Sequence, residues 1–171
     1  MQPTTVASWA AVIWRALETR GIAPRPVFER AGVNSDQLQD AGARIPLPAM
    51  TRLWDAAVEA SGDPCFGLSA GQHVHPTTFH ALGYAWLASH TLREALDRFV
   101  RFTRLVSTAL TLRTVTVGAE LELGFESVGN ALPLIGNNPA TALPHAAPSS
   151  LFLRGALPLY GAALDASGAV L

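Results

Sequence analysis

Hydrophobic residues recur with the period of an α-helix over the first two thirds of the chain. At 100° per residue, Trp9, Ile13 and Leu17 fall on one arc, and Gly21 follows as an end signal. The same spacing predicts a short helix in PVFERAG, a turn in VNSDQLQ and a longer helix in IPLPAMTRLWDAAVEASG that ends at Gly62. These segments indicate a helix-rich N-terminal part.

Three further helices are predicted before the pattern changes. Asp63 is placed as N-cap and Pro64 as first residue of the helix PCFGLSAGQH. The segment TFHALGYAWLAS is apolar nearly all round, which is typical of a buried helix. Thr91 and Glu94 form a capping-box pattern before a clearly amphipathic helix. The apolar arc of this last helix comprises Leu92, Ala95, Leu96, Phe99, Phe102 and Val106.

The opposite face of the last helix is rich in arginine. A basic stripe of this kind is also found in proteins that bind DNA, but Glu94 with Arg98 and Asp97 with Arg101 are i,i+4 pairs in the favourable orientation. We therefore interpret the face as solvated and held by ion pairs. Its arginines are Arg93, Arg98, Arg101 and Arg104.

The period then changes from 3.6 to 2 in ALTLRTVTVGAELELGFE, which predicts a β-hairpin at about 108–126 around a Gly118-Ala119 turn. The alternation changes phase between Leu112 and Val115, which predicts a bulge near Arg113 or Thr114. The predicted fold class is α+β. The helix-rich N-terminal two thirds would pack on a small antiparallel sheet that begins with this hairpin.

The composition changes again after Glu126. From Ser127 to Leu171 the charged residues are only Arg154 and Asp165, and alanine, proline and glycine are scattered without a period. The expected organisation is one incomplete domain over residues 1–126 and an irregular Ala/Pro/Gly tail over residues 127–171. Two explanations of the tail stay open: a disordered segment, or a non-native one that results from a reading-frame change near residue 128.

Composition and charge narrow the functional classes. Hydrophobic residues make up 49% and charged residues 15%, against about 25% in a typical protein, so part of the surface is expected to be covered by a partner. The net charge is −1 and lysine is absent, which argues against non-specific DNA binding. A single cysteine, Cys65, excludes an intramolecular disulfide framework, and neither a signal peptide nor a membrane span is indicated. We expect a cytoplasmic protein.

Four histidines cluster in and after the stretch GQHVHPTTFH. His73 and His75 would share one side of an extended segment and form half of a zinc site, to which His80 and His90 would have to fold back. A linker that ends a helix is the favoured interpretation, so no metal is expected. Motifs for phosphate loops, nucleophile elbows and metalloproteases are absent, and no catalytic residue or enzymatic activity is predicted.

Several segments in the same order resemble a known family. The run from SWAAVIWRALETRGI through GDPCFGL to LGYAWLAS, TLREAL and RLVS is similar to the N-terminal effector-binding domain of AraC/XylS-type transcription regulators, over about residues 8–126. The resemblance implies a domain that binds a small-molecule effector and forms a homodimer. It also implies that DNA is bound through a separate C-terminal pair of helix-turn-helix motifs, which this sequence lacks. Residues 128–171 do not resemble the family.

The resemblance carries over no individual ligand residue, so the candidates rest on side-chain chemistry. Pockets of sensor domains are largely apolar with a few polar anchors. We expect lining by aromatic and histidine side chains, with an arginine anchoring a carboxylate if the effector has one. His80 and Tyr84, an i,i+4 pair, have a core pair as the favoured alternative. The candidates are Trp54, Phe79, His80, Tyr84, and Arg101 or Arg104. No cofactor is expected.

The leading functional hypothesis is the ligand-sensing and dimerisation module of an AraC-type regulator that lacks its DNA-binding domain. One alternative is a small metal-binding or hydrolytic protein that uses the four histidines. Another is a truncated regulator without function.

Overall fold

Helices precede a β-hairpin in the described part of the chain, as the two sequence periods predict. The computed structural model describes residues 2–117 and 120–127. Within them the helices are α1 (Ser8–Glu18), α2 (Pro24–Ala31), α3 (Leu47–Ser61), α4 (Phe66–Ala70), α5 (Ala81–Leu87) and α6 (Leu92–Val106). Short 3-10 turns lie at Ser35–Gln39, Gly71–His73 and Pro76–Phe79. The strands are β1 (Thr4–Val6), β2 (Arg44–Pro46), β3 (Leu110–Val117) and β4 (Glu120–Ser127).

Antiparallel strand pairs hold the ends of this helical structure together. β1 pairs with β2, with Thr5 opposite Ile45, and β3 pairs with β4. A single bridge between Thr5 and Ser107 connects β1 to the residues just before β3. The architecture is α+β, with helices packed on small antiparallel strands, which confirms the predicted fold class.

The hairpin pairs without interruption, so the bulge predicted near Arg113 or Thr114 is wrong. Every residue of β3 opposes one residue of β4. Because successive side chains of a strand point to opposite faces, Leu112 is buried against the helices whereas Val115, three positions later, is 38% exposed on the other face. The change of phase in the sequence therefore marks apolar side chains on both faces of the hairpin.

The largest buried cluster, here called the N-terminal cluster, lies among α1, α2, α3 and α4. Its largest fully buried side chains include Phe28, Leu53 and Phe66. Burial of each such side chain contributes about 2–3 kcal/mol relative to exposure. Two tryptophans stand at its edge in edge-on contacts, Trp14 with Phe28 at 5.1 Å and Trp54 with Phe66 at 6.2 Å between ring centroids. The N-terminal cluster is the hydrophobic core of residues 7–70.

The second cluster, here called the C-terminal cluster, joins α5 and α6 to the hairpin. Its buried members include Trp86, Leu96, Phe99 and Leu112. The segment TFHALGYAWLAS is not one buried helix, because it breaks at His80 into a 3-10 turn and the short helix α5. Two side chains of α5 and one of the predicted apolar arc of α6 are well exposed. They are Tyr84 at 61%, Leu87 at 44% and Phe102 at 40%.

The ends of the helices follow the predicted signals in part. α3 ends at Gly62, whose φ of 62° suits glycine because it lacks a Cβ. α4 begins at Phe66 with Cys65 in the N-cap position, so Asp63 is not its N-cap. Asp63 instead accepts a hydrogen bond from the Cys65 amide at 2.8 Å and one from Arg20 at 2.6 Å, and the carboxylate thereby closes the turn before α4.

α6 has the predicted N-cap, with one difference in the capping box. The Thr91 hydroxyl oxygen accepts from the Glu94 amide at 3.1 Å. The Glu94 carboxylate accepts from the amide of His90 at 2.9 Å, one residue before the N-cap, and it also forms an ion pair with Arg98. A carboxylate in the first turn is stabilised by the helix dipole, so Glu94 supports the start of α6 in three ways.

A hydrogen-bonded junction ties the chain start to the end of α6. The guanidinium group of Arg44 donates to the Thr4 hydroxyl at 2.7 Å, to the Leu105 carbonyl at 2.9 Å and to the Thr4 carbonyl at 3.2 Å. The amide of Thr108 donates to the Thr4 carbonyl at 2.9 Å, and the Thr5 hydroxyl donates to the Val106 carbonyl at 3.2 Å. These bonds hold the two clusters side by side.

The predicted tail lies outside the described residues except for its first residue, Ser127, which ends β4, and the predicted Gly118-Ala119 turn lies outside them too. The division into residues 1–126 and 127–171 therefore stays a prediction. No helix among the described residues is both long and apolar enough to cross a bilayer.

Candidate functional site

A row of aromatic rings connects the two clusters. Phe79, at the end of the 3-10 turn before α5, meets Trp9 of α1 edge-on with 5.5 Å between ring centroids. On its other side it meets Phe99 of α6 at 5.7 Å, and Phe99 meets Trp86 of α5 at 6.0 Å. Edge-on contacts of this kind add about 0.5–1.5 kcal/mol each beyond buried area. Phe79 is therefore an aromatic contact between helix α1 and the C-terminal cluster.

The segment that carries Phe79 is fixed from several directions. The hydroxyl of Ser8 in α1 donates to the Thr78 carbonyl at 2.6 Å. The Thr78 hydroxyl in turn accepts from the His75 amide at 3.1 Å, and the Thr78 amide donates to the His75 carbonyl at 2.9 Å. The Pro76 carbonyl lies directly against the backbone of α5 at Gly83. We call residues 75–80 the joint.

His80 closes the joint in a strained backbone conformation. Its φ is 50° and its ψ is −130°, and it is the only residue other than glycine with positive φ in the part of the chain that the structure describes. A side chain with a Cβ in such a region costs about 1–3 kcal/mol and persists only when the surroundings enforce it. The fixed positions of Pro76 and Phe79 on one side and of α5 on the other supply that constraint.

The histidines of the motif do not gather into a metal site. The described residues contain no group of three or more histidine, cysteine or acidic side chains placed to hold an ion, and all four histidines of the hypothesis are among them. His73 instead lies 3.3 Å from the Thr19 hydroxyl. Burial lowers the pKa of His73 first, and the nearby charges of His75 and Arg15 lower it further. The four histidines therefore do not form the site that the hypothesis of a metal-binding or hydrolytic protein requires.

An open groove of about 460 Å³ lies on the outer surface between α5 and α6. Within it Arg98 is engaged, because it pairs with Glu94 and donates to the Ala85 carbonyl at 2.8 Å. The predicted pair of Asp97 with Arg101 is not formed. Asp97 accepts from the Thr114 hydroxyl at 3.2 Å, and Arg101 lies over the Phe102 ring at 5.4 Å. The lining residues are Ala85, Thr91, Arg93, Glu94, Asp97, Arg98, Arg101 and Phe102.

The six predicted ligand contacts lie in three places. Phe79 and His80 are adjacent and half-buried in the joint. Trp54 belongs to the edge of the N-terminal cluster, where it contacts Phe66. Tyr84, Arg101 and Arg104 are exposed on the outer sides of α5 and α6, with Arg101 in the groove. The core alternative for His80 with Tyr84 is wrong, because Tyr84 is 61% exposed.

Three features of the joint were not predicted from the sequence. Gly83 lies in the middle of a predicted helix, where a glycine can indicate that another backbone approaches closely. The contact of Gly83 with Pro76 could therefore have been predicted from the sequence. The positive φ of His80 was not predicted, because the enrichment of histidine at positive φ is mostly in the left-handed helical region, and a ψ of −130° lies outside that region. The hydrogen bond from Ser8 to Thr78 spans 70 residues, and short-range patterns do not predict such a distance.

The fold and the joint define a helix-rich α+β domain in which two buried clusters meet at the joint and at the junction around Arg44. The chain belongs to the family described as the arabinose-binding domain of AraC transcription regulator, N-terminal, which it matches over residues 21–151. That match confirms the family resemblance seen in the sequence. The family is regulatory, not enzymatic.

A curated relative agrees with this assignment. The chain is 27% identical over 103 residues to an ornithine utilization regulator of Pseudomonas aeruginosa. The aligned part covers 60% of this chain but 30% of the relative, so the chain corresponds to less than a third of that regulator's length.

The bounds of the family match differ from those of the resemblance. The match begins at residue 21 instead of about 8, and it ends at residue 151 instead of 126. The expectation that no residue after 127 resembles the family is therefore corrected for residues 128–151, and a frame change near residue 128 loses its main support.

Proposed function

We propose that this chain is the effector-sensing and dimerisation module of a cytoplasmic AraC-type transcription regulator. Membership of the family supports a domain that binds a small molecule. DNA would be contacted through a separate helix-turn-helix region of the regulator, as the resemblance implies, and not through the described helices. The arginine-rich face of α6 is partly neutralised by Glu94 and Asp97, so it is a poor site for phosphate backbones.

The joint is the effector contact in this proposal, and the position of Phe79 is the observation that carries it. Its ring is half-buried between Trp9 and Phe99, so a ligand that displaces or supports it acts on both clusters at once. His80 beside it offers a ring nitrogen for hydrogen bonding and a strained backbone that a ligand can relieve or reinforce. Strain of this kind clusters at ligand clamps and switch regions.

The proposed effector site includes fewer residues than the six candidates predicted from the sequence. Phe79 and His80 are the primary contacts. Trp54, Tyr84, and Arg101 or Arg104 as carboxylate anchors stay predictions, because they lie in other places on the molecule.

The mechanism follows from the geometry of the joint. Two arrangements of the clusters would differ in the position of Phe79 and in the backbone of His80. An effector shifts the balance only by the difference between its affinities for the two arrangements, and about 1–3 kcal/mol is typical for such coupling. That range is similar to the cost of the strained conformation of His80.

The experiment is a ligand screen followed by substitution at the joint. Amino acids including ornithine, pentoses including arabinose, and aromatic and fatty acids are titrated while tryptophan emission is followed, to which Trp9 and Trp86 of the aromatic row contribute. Phe79→Leu should weaken binding of any hit at least tenfold, and Trp14→Phe at the Phe28 contact serves as the matched control. A hit whose affinity is unchanged by Phe79→Leu and by His80→Ala would place the effector elsewhere. A chain that unfolds cooperatively and binds no member of the panel would argue against sensing of these ligand classes.

A further inference from the structure

The outer face of α6 carries exposed apolar and charged side chains that no described residue covers. Leu105 is 58% exposed and Phe102 is 40% exposed. Arg101 and Arg104 are exposed on the same helix, and neither has an ion-pair partner among the residues that the structure describes. Phenylalanine and arginine are enriched at protein interfaces relative to free surfaces, and a neighbouring exposed leucine extends the apolar part of this face.

Charges are ordered along this face. Asp97 lies in the N-terminal half of α6, whereas Arg101 and Arg104 lie in the C-terminal half. Glu94 and Arg98 in the same N-terminal half neutralise each other in an ion pair. Arg93 at the first turn also has a partner. The face is therefore acidic near Asp97 and basic from Arg101 onward.

We propose that a second copy of this chain packs on α6, with the two α6 helices antiparallel about a two-fold axis at the level of Phe99. Asp97 and Arg101 lie two residues on either side of that level, so each Asp97 would face Arg101 of the other copy. A two-fold interface repeats every contact, and only a self-complementary face can form one.

The charge order selects a second copy over an unrelated partner. Within one chain Asp97 and Arg101 do not pair, although their i,i+4 spacing permits it. Arg101 is instead turned to the Phe102 ring, which leaves its N–H groups available to a carboxylate from outside. The antiparallel arrangement supplies such carboxylates without any other molecule. This inference rests on the dimerisation part of the proposed function and not on its effector site.

The length of α6 limits the area that the proposed dimer can bury, and therefore its affinity. α6 has 15 residues and is about 22 Å long, so a pair of such helices buries less than the roughly 800 Å² per partner of a standard interface. We therefore expect a weak dimer that dissociates as salt rises from 50 to 500 mM, because exposed ion pairs are screened.

Charge exchange tests the arrangement by analytical ultracentrifugation of the whole chain. Arg101→Asp places like charges opposite each other twice per dimer, and so does Asp97→Arg. Each should raise the dimer Kd about tenfold or more at low salt. The double variant Asp97→Arg with Arg101→Asp restores two opposite-charge contacts, and its Kd should return to within about threefold of the original. Circular dichroism verifies that helix content is retained in each variant.

Other outcomes separate this inference from the proposed function. Arg25→Asp on the exposed side of α2 is the control, and it should leave the Kd unchanged. A dimer that is insensitive to both single exchanges, or whose weakening the double variant does not reverse, would overturn the α6 interface while dimerisation stands. A chain that is monomeric at millimolar concentration would overturn both. Effector titration of the Asp97→Arg variant reports on sensing independently, since Phe79, His80 and the candidate anchors Arg101 and Arg104 are unchanged in it.

Discussion

The Pro76 carbonyl occupies the space in which a side chain at position 83 would begin. An ideal Cβ built on Gly83 falls 1.6 Å from the Pro76 oxygen, well inside any real contact distance. The clashing atom belongs to the backbone of the joint, which is fixed by Ser8 and by the packing of Phe79, so it has no easy way to move. The glycine is therefore required for α5 to pack on the joint.

Gly83→Ala should destabilise the fold by about 3 kcal/mol or more, at the upper end of the cost of overpacking. Urea unfolding followed by tryptophan fluorescence measures the change. Gly42→Ala is the matched control, because the nearest atom to its Cβ is the Asp40 carboxylate oxygen at 3.4 Å and its φ is not positive. The control should stay within about 0.5 kcal/mol of the original. Equal stability of Gly83→Ala would show that α5 does not pack on the Pro76 carbonyl.

Sequence patterns predicted some helices of this molecule better than others. The period of apolar residues and the end signals placed α1, α3 and α6 correctly, because each has a polar face and a clear stop such as Gly62. In α5 and the turn before it the sequence is apolar all round, so periodicity has no polar face to locate. One buried helix was predicted there, whereas the structure has a 3-10 turn followed by a half-exposed helix.

The candidate site was less predictable than the fold, because it depends on contacts distant in sequence. Phe79 and His80 were chosen for their chemistry, yet their positions are set by Ser8, Trp9 and Phe99. Ion pairs at i,i+4 were predicted from spacing alone. The pair of Glu94 with Arg98 forms and the pair of Asp97 with Arg101 does not, since neighbours outside the helix compete for those side chains.

Relief of the strain at His80 gives a second prediction. His80→Gly should stabilise the fold by about 0.5–1 kcal/mol, because the gain of about 1–3 kcal/mol from removing the strained Cβ exceeds the entropy that glycine adds to the unfolded chain. The midpoint of urea unfolding measures the gain. His80→Ala keeps a Cβ and separates the backbone effect from loss of the ring, so it should not stabilise. A destabilised His80→Gly variant would mean that the imidazole contributes more than the strain costs.

The junction around Arg44 gives a third prediction. Arg44→Ala removes three hydrogen bonds, to the Thr4 hydroxyl, the Thr4 carbonyl and the Leu105 carbonyl. We expect a loss of about 1–3 kcal/mol, because charged donors make stronger hydrogen bonds but part of this group is solvated. Differential scanning calorimetry should show a lower Tm. Arg25→Ala, at an exposed position of α2, is the control and should change stability by less than about 0.5 kcal/mol.

Hydrogen exchange gives the Arg44 prediction a local readout. If the junction holds the two clusters side by side, the amide of Thr108, which donates to the Thr4 carbonyl, should lose protection more than the amides inside α3. Uniform loss of protection across the chain would indicate a global effect instead of a junction.

The acid side of the stability profile depends on His73, whose lowered pKa has burial as its largest cause. Between the folded pKa of His73 and its ordinary value of 6.5, the unfolded chain binds a proton that the folded chain does not. Stability contributed by the neutral imidazole is therefore complete above that window and is lost as the pH falls through it. The pKa of Asp63 is lowered too, chiefly by its hydrogen bond from Arg20, but its ordinary value is 3.8 and its effect falls at lower pH.

His73→Gln should therefore flatten the loss of stability that begins near pH 6.5 and leave the loss near pH 4 and below in place. Urea unfolding at half-unit steps of pH measures both windows, and NMR titration of the His73 ring checks that its pKa lies below 6.5. His90→Gln removes an exposed histidine and is the control that should retain the first window. Arg15→Gln should move the His73 pKa upward, because it removes one of the positive charges that oppose protonation. A His73 ring that titrates at or above 6.5 would show that the imidazole is solvated in the folded chain.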